Sequence, residues 1–250
     1  MITGIYTRTI TMLVLGAAVA ITGCGGSDSS NSTGLDPITP KPDVPSPKGF
    51  WIGTQGTSSL SAIVLANGDG WVVSDDAGTI NFACIQTTVT GNSFSGTGTR
   101  YLLQSGTVEP TTASGTFVEK ATLSGSMSPV SSSFILAYNT RYETIASLTD
   151  AAGSWLGSYG NSNLTMNVAS TGSLSGNSTT GCKYSGTLVT RSSDPAVFDV
   201  SFTETCGVNA SPVVKVLSGI ATVNAARTAI SIAATTADKT SGALFVGVKQ

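Results

Sequence analysis

Along most of this chain, apolar and polar residues alternate in short runs broken by Gly, Asn, Asp and Ser. The clearest case is Leu164, Met166 and Val168 alternating with Thr165, Asn167 and Ala169, the signature of a strand with one apolar and one polar face. Each half of the chain reads as roughly eight such strands separated by turns. In the first half the matching Leu60, Ala62 and Val64 are joined by Ile63 and Leu65 on the opposite face. That strand is expected to be covered on both sides, its outer face packed on the second lobe or on a partner. The segment Ala146-Ser147-Leu148-Thr149-Asp150-Ala151-Ala152 lacks strand character and is expected to form one helical turn at the boundary between lobes.

The pattern begins twice. Gly49-Phe50-Trp51-Ile52-Gly53 recurs as Gly153-Ser154-Trp155-Leu156-Gly157, at an offset of 104 residues. The same register carries Gly56 to Gly160, Ser58 to Ser162, Leu60 to Leu164, Val64 to Val168 and Gly68 to Gly172. Further on a shorter offset is expected, matching Phe94-Ser95-Gly96-Thr97 to Tyr184-Ser185-Gly186-Thr187 and Leu123-Ser124-Gly125 to Leu217-Ser218-Gly219. Trp, Leu, Val and Gly repeated in one register mark an internal duplication. The expected fold is all-β: two tandem, related antiparallel lobes over residues 49–146 and 147–250, each a small up-and-down barrel or sandwich. Trp51 and Trp155, framed by Gly49, Gly53, Gly153 and Gly157, are expected in the core at a closed barrel end or under a sheet.

Ahead of the lobes lies a different kind of sequence. Residues 1–9 carry one charge, Arg8, and residues 10–21 are almost wholly apolar. A positive start and a short apolar run, below the roughly 20 residues a spanning helix needs, read as an export signal over residues 1–23. Its end, Ile21-Thr22-Gly23-Cys24, resembles the lipobox of bacterial lipoproteins. The resemblance implies cleavage before Cys24 and attachment of palmitate-type acyl chains to it, which anchors a chain in a bilayer without a transmembrane helix. Gly25 and Gly26 stand where an Asp would signal inner-membrane retention, so the resemblance implies the outer membrane, on its surface or periplasmic face. Residues 24–48 are rich in Gly and Ser and then in Pro, with no periodic apolar pattern. Such a stretch is a flexible and then polyproline-like spacer that builds no core.

Cys182 and Cys206 flank an expected hairpin centred on Arg191-Ser192-Ser193-Asp194-Pro195. A symmetric hairpin sets Leu188 opposite Val200 and the two cysteines opposite each other, within disulfide range. In an exported chain that pair is expected to be oxidised, which adds roughly 3 kcal/mol of stability. Cys84 shares a face with Ile80 and Phe82 and is expected to be a buried free thiol.

The sequence holds 29 Gly, 10% charged residues and no His. Without His the Ser-His-Asp and Cys-His arrangements and His-containing metal sites are excluded. Asp75, Asp76, Asp194, Glu109 and Glu119 are scattered among turns and strand ends, and no spacing makes an acid/base pair. Asn67-Gly68-Asp69-Gly70 lacks the ligand period of a calcium loop and reads as a hairpin turn. With Arg8 removed, 11 basic and 14 acidic side chains remain, and no basic patch suits nucleic acid.

The Gly-x-Trp motif resembles that of lipocalins, which implies eight-stranded closure. Over nearly the whole chain there is a further likeness to uncharacterised two-repeat lipoproteins of proteobacteria. It rests on the Trp-x-Gly start, on Tyr138 and Tyr142 ahead of Ser147-Leu148, on Gly181 to Thr187, and on Phe245-Val246-Gly247. Lipid anchor, spacer and β lobes together resemble the layout of surface lipoproteins that bind host proteins. No catalytic residue, cofactor or metal is expected. The expected function is a monomeric, lipid-anchored, non-catalytic module that binds a protein, a glycan or a small apolar ligand; the alternative is a structural component of the envelope.

Overall fold

The computed structural model describes residues 45–130, 132–159, 162–207 and 212–250. The signal, Cys24 and most of the spacer lie outside the described residues. Two closed, antiparallel, eight-stranded barrels follow one another. The first runs through β1 (Gly49–Gln55), β2 (Ser58–Val64), β3 (Asp69–Asp76), β4 (Thr79–Thr90), β5 (Ser93–Leu102), β6 (Thr107–Val118), β7 (Thr122–Ser128) and β8 (Ser133–Asn139). The second runs through β9 (Gly153–Tyr159), β10 (Ser162–Val168), β11 (Ser173–Ser178), β12 (Lys183–Thr190), β13 (Phe198–Cys206), β14 (Val213–Val223), β15 (Ala229–Thr235) and β16 (Gly242–Lys249). Within each barrel every strand pairs with its sequence neighbours, and β1–β8 and β9–β16 close the two rings. Closure leaves no unpaired edge in either lobe. The lobes are therefore up-and-down barrels rather than sandwiches.

The alternation read along each strand is the inside–outside alternation of a barrel wall. In β10 the burial alternates without a break, and Leu164, Met166 and Val168 enter the interior with Phe198, Val200 and Phe202 from β13. In the first barrel Leu60, Ala62, Val64, Ile85, Phe94, Phe117, Leu123 and Leu136 fill the equivalent space. Between the barrels lies a third cluster, made of side chains that point outward from their own barrel: Phe50, Leu65, Trp71, Phe82 and Tyr101 from the first, Val197, Ile220, Ala233 and Leu244 from the second. Leu65 is buried there and Ile63 packs against it. The doubly apolar β2 is thus explained by contact with the second lobe.

The linker contains a 3-10 turn (Thr140–Glu143) and α1 (Leu148–Ala151). Ser147 and Asp150 close a capping box at the start of α1, satisfying two of its free backbone donors. Asn67-Gly68 forms the β2–β3 hairpin turn, with the Gly68 N–H donating to the Leu65 carbonyl at 3.0 Å.

Two sequence expectations are corrected. The repeat offset does not shorten: it grows from 104 residues between Ser58 and Ser162, which open β2 and β10, to 109 between Ser133 and Gly242, which open β8 and β16. Phe94 lies on the fifth strand of its barrel and Tyr184 on the fourth, and Leu123 and Leu217 likewise differ by one strand. Those matches came from the Gly and Ser that recur at close strand contacts throughout both barrels, so they carry no register. Cys84 is buried on the outward face of β4 with Phe82, as expected, but it is not a free thiol: it is disulfide-bonded.

Candidate functional site: the cleft between the barrels

The residues that define the duplicated motif are structural, and the geometry gives the reason for each. Trp51 and Trp155 are wholly buried. Each indole N–H donates at 2.8 Å to the carbonyl four residues earlier, Pro47 for Trp51 and Ala151 for Trp155, which supplies the acceptor a buried indole requires. The segment before each barrel is thereby held across its end, and the tryptophans are barrel closures as expected. Gly49 and Gly153 both adopt φ values that disfavour L side chains, +153° and +136°. A Cβ at Gly53 or Gly157 would lie 2.1 Å or 1.9 Å from a carbonyl oxygen of the closing strand. No other residue fits those two positions.

Cys182 and Cys206 form the expected disulfide, with Cα atoms 4.1 Å apart. Leu188 faces Val200 in the β12–β13 ladder, so hairpin symmetry placed the bond. Glu204 lies beside it, buried on the inward face of β13 with Oε2 unpartnered among the described residues. Burial pushes its carboxyl above the ordinary carboxylate range, with Lys215 partly opposing. Cys182, Glu204 and Cys206 bring ligand-type atoms within 4.8 Å of one another, but the two sulfurs are consumed by their mutual bond.

Among the described residues, neither barrel interior holds a cavity of ligand size. The interior of the first keeps a cavity of about 40 Å³, lined by Leu60, Ile85, Phe94, Leu136 and their neighbours, and the second one of about 10 Å³. Among the described residues, space for a ligand lies outside the barrels: a recess of about 590 Å³, lined largely by polar residues, on the outer face of β4, β5 and β6 and bordered by Lys239, and an apolar one between the barrels. There a cleft of about 380 Å³ is bounded by the outer faces of β1, β2 and β3 on one side and of β14, β15 and β16 on the other. Phe50, Ile63, Trp71, Ile220 and Leu244 line it, with the partly exposed Ile52 and Val246 also in its wall.

Two interlocks join the barrels. The first is Asp194, fully buried in the β12–β13 loop of the second barrel. It accepts hydrogen bonds from the Ala66 N–H at 2.8 Å and the Tyr142 hydroxyl at 2.5 Å, both from the first half, and from Arg191 and Ser193 of its own loop. Burial and the adjacent Asp194 carboxylate push the Tyr142 hydroxyl well above its ordinary range, keeping it a donor. The second is an aromatic ladder on the first barrel, Trp71, Phe82 and Tyr101, with ring centroids 6.5 Å and 4.6 Å apart. Gly242 of β16 sits directly on it: a Cβ there would meet Phe82 at 2.5 Å and Tyr101 at 2.7 Å. The Tyr101 hydroxyl then donates to the Lys239 carbonyl of the second barrel at 3.1 Å.

The polar groups of the cleft are few and specific. Arg141, in the 3-10 turn, sets its guanidinium 5.7 Å from the centre of the Phe50 ring. Burial lowers its pKa from the ordinary value, with Asp150 acting in the opposite sense; Asp150 is itself paired with Arg227 at 2.6 Å. Arg141 Nε and Trp71 Nε1 are buried donors with no acceptor among the described residues. Sequence reading missed both, and missed the interlocking role of Asp194. Trp71 stood outside the duplicated motif, Arg141 was one charge in an irregular linker, and Asp194 looked like an ordinary turn residue. No family model matches the chain, and no match was found among the curated proteins or the solved structures searched.

Proposed function

We propose that this protein is a non-catalytic binding module of the outer membrane that holds a small, largely apolar molecule in the cleft between its two barrels. The observation that carries this reading is where the empty space lies. Among the described residues both barrel interiors are filled with side chains, whereas the cleft is apolar, about 380 Å³ in volume and built on two closed barrels. That volume falls in the range of small-molecule sites, which are mostly apolar with a few placed polar groups. The cleft's apolar walls suit a small, largely apolar molecule better than a glycan chain. The Asp194 and Gly242 contacts tie the two barrels together directly, which favours a site formed before binding.

The test uses 1-octanol and the fluorescence of Trp71. Trp51 and Trp71 both border the cleft, Trp51 wholly buried with its N–H bonded to Pro47, and Trp155 lies in the second barrel, so the cleft's signal is isolated by repeating the titration with Trp71→Phe. Saturable quenching or a spectral shift is expected, lost in Ser231→Phe, which fills the cleft from an exposed position on β15. Octanol that leaves the spectrum of the folded protein unchanged would refute the cleft as the site.

A further inference from the structure

We infer that Cys182, Cys206 and Glu204 make up a metal site that opens when their disulfide is reduced, and that it takes Zn²⁺ or a cation of that type. Cys206 ends β13 and Cys182 immediately precedes β12, so the two sulfurs lie together at the rim of the second barrel, and both residues are partly exposed. Glu204 stands two residues before Cys206, on the same face of its strand and one rung deeper in the barrel. It is buried, yet its Oε1 lies 3.0 Å from Cys206 Sγ and its Oε2 has no partner among the described residues. A buried carboxyl oxygen without a partner costs stability, and native proteins keep few of them. Its place against the sulfurs accounts for this one. Ligand-type atoms of all three residues lie within 4.8 Å of one another, which makes a set of two thiolates and a carboxylate once the sulfurs part.

Donor type and charge select the metal. Two thiolates and a carboxylate suit Zn²⁺, which binds sulfur and oxygen tetrahedrally, with water in the fourth position. Ca²⁺ and Mg²⁺ take oxygen ligands and are disfavoured by the sulfurs. The three ligands carry three negative charges and the cation two positive ones; Lys215, directly across the β13–β14 ladder from Glu204, supplies the remaining positive charge. While the disulfide stands, no metal binds. A dithiol reductant opens it by exchange: the two electrons that break the Cys182–Cys206 bond come from the reductant, which becomes a disulfide itself, and its two protons pass to the cysteine sulfurs. Zn²⁺ then displaces those protons to solvent, together with the Glu204 proton where the carboxyl holds one. The β12–β13 ladder, from the pair Lys183 and Thr205 to the pair Thr190 and Phe198, keeps the two cysteines opposite each other after reduction. The Cys182 backbone is also fixed by its N–H, which donates to Ser178 Oγ at 3.0 Å.

Titration of the full-length protein with Cd²⁺ tests the inference, because thiolate-to-cadmium charge transfer absorbs in the ultraviolet and reports sulfur ligation directly. Protein reduced with dithiothreitol, and freed of it in the absence of air, is expected to bind one Cd²⁺ with that absorbance; oxidised protein is expected to bind none. Glu204→Gln, which keeps both cysteines, should weaken binding to the reduced protein roughly tenfold or more. Cys182→Ser should abolish it. Zn²⁺ should raise the melting temperature of the reduced protein and leave that of the oxidised protein unchanged. No Cd²⁺ uptake by the reduced protein would overturn the inference. So would uptake that Glu204→Gln does not weaken, which is what loose thiols on an unfolded chain would give, and so would uptake that survives in Cys182→Ser, which would place the metal on other sulfurs. None of these readouts depends on the cleft.

Discussion

The two barrels share an interior and differ outside. On β2 and β10 the inward triads Leu60, Ala62, Val64 and Leu164, Met166, Val168 occupy identical registers, and all six are buried. The outward residues diverge: Ile63 and Leu65 are covered by the neighbouring barrel, whereas Thr165, Asn167 and Ala169 face solvent. The second barrel answers with a non-equivalent face, Ile220, Ala233 and Leu244 on β14, β15 and β16. The interface is therefore heterologous, joining two different surfaces of two related folds. Duplication preserved what closes a barrel and left the outside free to specialise. The cleft arose on the outside.

The sharpest way to break that comparison is at the shared closures. Trp51→Ala and Trp155→Ala should each cost about 3–5 kcal/mol, measured by denaturant unfolding. A large cost at one site and a small one at the other would show that the two closures are not equivalent. The caps over them do differ: Trp51 meets the edge of Tyr138 at 5.3 Å, and Trp155 lies under the Lys249 ammonium at 5.1 Å.

A smaller effect is expected at the interface, where the barrels are unlike. Asp194→Ala strands the Tyr142 hydroxyl, the Ala66 N–H and Arg191, at a cost of about 3 kcal/mol. The Ala66 amide should then exchange with solvent faster while amides in the β10–β11 ladder keep their protection. Uniform loss of protection in both barrels would show that neither holds its fold without the other.

The smallest effect belongs to the second barrel alone. Because burial raises the Glu204 pKa, the folded state keeps this proton to higher pH than the unfolded chain, and stability falls as pH rises through the ordinary value of 4.5. Glu204→Gln removes that term. The variant should be more stable by about 1 kcal/mol at pH 7, and the gain should vanish below about pH 4. A gain independent of pH, seen in thermal melts across that range, would mean that the carboxylate is not the cause.

Inside the barrels the sequence alone was a sufficient guide. Period-two alternation is imposed on every strand by the pleat, so the inward residues of β10 and β13 and the duplicated Gly-x-Trp-x-Gly frame could be read directly. Hairpin symmetry is local as well, and it placed the Cys182–Cys206 bond across a separation of 24 residues. Ile63 and Leu65 announced a covered outer face without naming its cover. Register beyond β4 was misread because Gly and Ser, chosen wherever neighbouring backbones approach closely, repeat at positions that are not equivalent. Only tertiary structure could decide that Asp194 lies 128 residues from the amide it accepts from, that Gly242 must be bare to admit the rings of Phe82 and Tyr101, and that Arg141 and Trp71 share one cleft. Those outcomes depend on how two closed surfaces meet, and side-chain periodicity along one strand carries no information about the strand of another barrel that will lie against it.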